Sequence, residues 1–136
     1  MSEAPGDLDA ARVELASRCN TIEESYEFML AYAAQGIPTE GAQIREFLLR
    51  SDAALKGLAD FATHFIGQSH GESRLAYAAF MRVLDRDARD SQAAVQLVLA
   101  QSTIGSQLVD NLNASIHLRA LLTDLFLIDE SLKTIR

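Results

Sequence analysis

The sequence predicts an all-α fold, an antiparallel up-down-up-down four-helix bundle with long helices, and three observations carry that expectation. Apolar residues recur in steps of three and four along most of the chain, the spacing that keeps side chains on one helix face. Glycine-containing breaks at Gly36-Ile37-Pro38, Gly67 to Glu72 and Gly105 divide this pattern into four runs. With 136 residues, 49% of them apolar and two of them proline, the chain has the size and composition of one domain around one core.

Residues 1–7, acidic and interrupted by Pro5 and Gly6, read as a disordered tail before a single helical domain over 8–136. Helix one is expected over about 8–35, from the stripe Leu8, Ala11, Leu15, Cys19, Ile22, Tyr26, Met29 and Ala33. Thr21 and Glu24 have capping-box spacing, but the stripe passes through them in phase, which predicts one continuous helix. Gly36 suits the left-handed residue after a helix, and Pro38 can open the next but not continue the last. Helix two follows over about 39–66, its stripe running through Ile44, Phe47, Leu48, Ser51, Leu55, Leu58, Ala62 and Phe65.

Ser73 stands near the start of helix three, expected over about 73–102 with Tyr77, Phe80, Leu84, Ala88, Ser91, Val95 and Val98 inward. Helix four is expected over about 106–134 and differs from the others, because Leu118 to Ile128 is apolar almost all round. Each helix of a monomeric bundle needs one buried stripe. The excess predicts a second covered face, so Leu118, Leu121, Leu122, Leu125 and Phe126 are expected at an interface with another subunit, most simply in a homodimer.

Charge and composition narrow the partners. The formal net charge is −7, which repels nucleic acid and anionic lipid, and Arg82, Arg86 and Arg89 are interleaved with Asp85, Asp87 and Asp90. No apolar run reaches the roughly 20 residues that cross hydrocarbon, so no membrane partner is expected. The acidic N-terminus lacks the pattern of a secretory signal, so a cytoplasmic location is expected. Cys19 is the single cysteine; it excludes an internal disulfide and reads as core.

Several patterns bear on chemistry. Gly67-Gln68-Ser69-His70-Gly71 matches the Gly-x-Ser-x-Gly nucleophile elbow, but that motif needs a strand-to-helix turn and here follows a helical stripe, so a connecting loop is expected. No glutamate is followed by histidine at the Glu-x-x-His spacing of diiron bundles, and His64, His70 and His117 lie far apart, so neither a metal nor another cofactor is expected. Asp110, Asn113, His117 and Asp124 form a polar stripe on helix four. It reads either as a solvated or satisfied network, or as an acid/base pair in which a carboxylate orients His117. Glu23, Glu24 and Glu27 form an acidic patch, read as solvation or as a contact for a basic partner.

Leu55-Lys56-Gly57-Leu58-Ala59 resembles the segment following the phosphorylated histidine of histidine phosphotransfer domains, which are also four-helix bundles. Ala53 stands at the histidine position, so the resemblance implies no phosphotransfer through this residue.

The sequence thus implies a non-catalytic helical interaction protein, an adaptor, scaffold or regulatory subunit, acting as a homo-oligomer on a protein partner through helix-face docking. The alternative is a bundle that holds a small ligand or metal between its helices, among Tyr26, Tyr32, Tyr77, Phe47 and Phe80. Its enzymatic version uses His117 with Asp110 or Asp124.

Overall fold

A computed structural model describes residues 5–66 and 74–135, with side chains over 10, 12–63 and 75–131. Within them the chain is all-helical, with six helices and no strand: α1 Pro5–Ala34, α2 Ile44–Leu55, α3 Leu58–Ile66, α4 Arg74–Leu99, α5 Ser106–Ala114 and α6 His117–Ile135. The long helix expected first is continuous, as its unbroken stripe requires, and it opens at Pro5, inside the expected tail. Proline tolerates a first helical turn, where its missing N–H costs no bond. The rest of that tail lies outside the described residues.

Two of the four expected helices are each divided in two. The run over 39–66 becomes α2 and α3, broken at Gly57, whose φ of 68° is a left-handed conformation that glycine adopts without steric cost. Arg18 on α1 donates to the Lys56 carbonyl freed there, at 2.7 Å, and its guanidinium lies over the Phe61 ring. The run over 106–134 becomes α5 and α6, broken at Ile116 with φ 64°. Ser115 closes α5 with its hydroxyl donating to the Leu112 carbonyl at 2.6 Å, and the Ile116 carbonyl receives the Ala120 N–H at 2.8 Å to begin α6.

Two ends are also displaced. α2 starts at Ile44 rather than near Thr39, because the intervening segment is held elsewhere: Gly41 N–H donates to the Tyr32 hydroxyl at 2.9 Å, and the Glu40 side chain pairs with Arg45 at 2.8 Å. α4 stops at Leu99 rather than near Ser102. There Arg45 donates to the carbonyls of Leu99 and Gln101, both at 2.9 Å, and so satisfies acceptors that a helix end leaves open.

α1 packs against α2, α3, α5 and α6, and α4 packs against the same four. The core follows the stripes of the first three expected helices, with Ile22, Met29, Leu48, Leu58, Leu84 and Val95 enclosed, and Val109 and Leu121 join it from α5 and α6. Side-chain bonds fix the pairing of α2 with α4: Asp52 accepts from Gln92 and Gln96, each at 3.0 Å. No helix among the described residues is long and apolar enough to cross a membrane.

Candidate functional site

A groove of about 390 Å³ opens between the N-terminal half of α1 and the C-terminal half of α6. Its buried lining is apolar and comes from four helices: Leu15 on α1, Ala62 on α3, Leu84 on α4, and Leu125 and Ile128 on α6. These positions belong to the inward stripes, so the groove floor is the outer edge of the core. Arg12, Asn20, Phe126 and Asp129 are exposed around it, with Glu23 half-buried. An apolar floor rimmed by both signs of charge suits an amphipathic or apolar guest better than a small polar one.

Cys19 lines the same groove and is a free thiol. Burial, then the carboxylates of Asp129 and Glu23, push its thiol up to about 11. The thiolate is the nucleophile in cysteine chemistry, so this shift disfavours the reactive form at neutral pH. Asn20, beside it in sequence, contributes a neutral polar edge.

The residues expected at an interface separate into two sets. Leu118, Leu121, Leu122 and Leu125 are buried by the chain itself, whereas Phe126 is 51% exposed, with Leu127 beside it at 53%. Of the five residues expected at an interface, the chain itself thus covers four and leaves Phe126 half exposed. α6 touches α1, α4 and α5 together, so it needs more than one apolar stripe within a single chain. Among the described residues of α6, the large apolar side chains left exposed are Phe126 and Leu127.

The turn at Ile116 divides the polar stripe between two helices. Asp110 and Asn113 belong to α5, and His117 and Asp124 to α6. Asp110 is exposed; Asn113 donates its amide to the Met29 carbonyl on α1 at 3.2 Å. His117 is half-buried at the first position of α6, and Asp124 is only 7% exposed, facing Asp87 on α4. Burial, then the Asp87 carboxyl, push the Asp124 acid up to about 7. None of the four lines the groove.

The remaining patterns resolve simply. Among the described residues no group of three or more His, Cys, Asp or Glu is placed to hold a metal ion. The Gly67 to Gly71 pattern lies outside the described residues. Leu55 to Ala59 spans the α2–α3 break, and Ala53 points to solvent. Tyr26, Tyr32, Tyr77, Phe47 and Phe80 line no part of the groove. Tyr32 is core, Tyr26, Tyr77 and Phe80 pack on the core's edge, and Phe47 stacks on Phe28 with ring centroids 4.1 Å apart. Within the acidic patch, Glu23 reaches the groove while Glu24 and Glu27 are exposed.

Reading the sequence missed the groove and the facing carboxyls. Cys19 marked one wall, as a helix residue flanked by Glu23, but nothing in spacing along α1 places it beside Asp129 of α6. Comparison of the chain with models of known families, with curated proteins and with solved structures finds no match in any of the three.

Proposed function

We propose that the chain is a non-catalytic helical interaction protein, an adaptor, scaffold or regulatory subunit, that forms a homo-oligomer by helix-face docking along the α1–α6 groove. The observation that carries this reading is Phe126: a large aromatic at the groove, half exposed and followed by exposed Leu127. In a twofold contact the same patch serves both copies, so each groove takes the other's aromatic. The rim suits such self-pairing, since Arg12 stands on the same patch as Glu23 and Asp129.

The scaffold behind this surface is proposed as an antiparallel four-segment bundle, with α2 and α3 acting as one segment and α5 and α6 as another. Supporting it, α2 meets α4 in opposite order, Arg45 at Leu99 and Asp52 at Gln92. α1 and α5 do likewise, Tyr32 at Ser106 and Met29 at Asn113. The net charge of −7 favours a protein partner in the cytoplasm over nucleic acid or a membrane surface.

Light scattering coupled to size exclusion tests the reading on wild type and on Phe126→Asp. A dimer that becomes a monomer in the variant, with helicity unchanged, supports it; a wild type that stays monomeric at high concentration overturns it. The groove volume favours one second reading, a small apolar ligand held in place of the partner's aromatic, since cavities of roughly 300–1,000 Å³ hold such molecules. Mass spectrometry of the native monomer would then show a copurified ligand.

A further inference from the structure

Asp124 is the one buried charged residue among the described core, on the face of α6 that meets α4. Its Oδ2 is enclosed and has no hydrogen-bond partner among the described atoms, a costly state for an ionised carboxylate. Opposite stands a second carboxyl, Asp87, half-buried on α4. Two facing carboxylates in a partly dry seam repel, whereas one proton between them turns repulsion into an O–H···O⁻ bond.

We propose that Asp87 and Asp124 form a one-proton carboxyl pair that clamps α6 onto α4, a pH-sensitive latch that loosens this seam when the proton leaves. With the proton on Asp124, its carboxyl becomes the donor and Asp87 its acceptor. Loss of that proton to water leaves two negative charges facing one another across the seam.

Among the described residues no cation offsets the charge on Asp124, on which burial and Asp87 act. α6 touches α4, α1 and α5. From α4, Asp87 is the group that acts on Asp124, and nearby Arg89 is held by Asp85 at 2.8 Å. From α1, Arg12, Cys19 and Glu23 face the groove on the side of Leu125 and Asp129, and from α5, Asp110 is exposed. On α6 itself the positions one turn away, Ala120, Leu121, Leu127 and Ile128, carry no charge.

The direction of the pH effect follows from where the proton is held. The folded acid, pushed up to about 7, keeps a proton that the unfolded chain, near the ordinary 3.8, has already released. Folding therefore binds a proton across that window. The stabilisation is complete below the lower value and is lost as pH rises through the upper one. The latch also sits beside the groove: Leu125 follows Asp124, and Leu84 precedes Asp87 by one helical turn.

Carboxyl-carbon NMR titration of the full chain, with thermal melts across the same range, tests the latch in wild type, Asp124→Asn and Asp87→Asn. The expected result is an Asp124 resonance titrating near neutrality, which moves towards the ordinary carboxylate range in Asp87→Asn. Wild-type Tm should fall by about 5 °C or more from about pH 5 to about pH 8, while either variant shows a flatter profile. An Asp124 titrating in the ordinary range, or a fall in Tm equally steep in the variants, overturns the proposal. The readouts depend on neither the oligomeric state nor the groove's occupant.

Discussion

The hydroxyl of Tyr32 donates to the carbonyl of Ile104 at 2.7 Å, fastening the last turn of α1 to the connection between α4 and α5. The same hydroxyl accepts the Gly41 N–H, and the Tyr32 carbonyl accepts the Ser106 hydroxyl at 2.9 Å. One side chain thus ties together three stretches that the chain reaches at widely separated times.

Replacing Tyr32 by Phe keeps the ring and removes the hydroxyl, leaving the buried Ile104 carbonyl and the Gly41 N–H short of a partner. Unsatisfied groups of this kind cost about 1–3 kcal/mol, so Tyr32→Phe should lower the urea midpoint by a corresponding amount with the slope unchanged. A variant as stable as wild type would mean that water replaces the phenol there without loss.

Gly105 lies where the same two connections cross. A Cβ built on it would stand 2.6 Å from the Pro38 carbonyl oxygen, a backbone atom that cannot swing away. The adjacent Ser106 N–H donates to the Ile37 carbonyl at 2.7 Å, so any shift that relieved the clash would stretch this bond. Gly105→Ala should destabilise by about 1–3 kcal/mol in thermal melts, the usual cost of overpacking. A neutral outcome would show that the connections separate freely.

These contacts mark what the sequence could and could not reveal. The inward stripes were legible because they depend on local periodicity: Leu15, Ile22 and Met29 on α1, and Leu84, Ala88, Val95 and Val98 on α4, are all buried. The break at Gly57 was not, since a glycine inside an in-phase stripe is tolerated by a helix, and Arg18's capture of the Lys56 carbonyl is a tertiary event. Burial of Leu118 and Leu122 has the same origin. Periodicity reports how much apolar surface a helix carries, and says nothing about whether its own chain or another covers it. Asp124 was legible as one member of the polar stripe expected on helix four; Asp87, which faces it, lies on α4 and is brought there by folding.

Ile116 gives the sharpest test of the fold itself. It holds φ 64° at 60% exposure, a β-branched residue in a conformation that costs an ordinary side chain roughly 1–2 kcal/mol. Glycine removes that cost, loses little burial, and gives back part of the gain through the freer unfolded chain. Ile116→Gly should therefore stabilise by about 1 kcal/mol, read as a rise in the denaturant midpoint. The outcome separates two architectures. If residues 106–134 formed the single helix that their spacing suggests, the same glycine would sit in a helix interior and lower stability by about 1 kcal/mol instead.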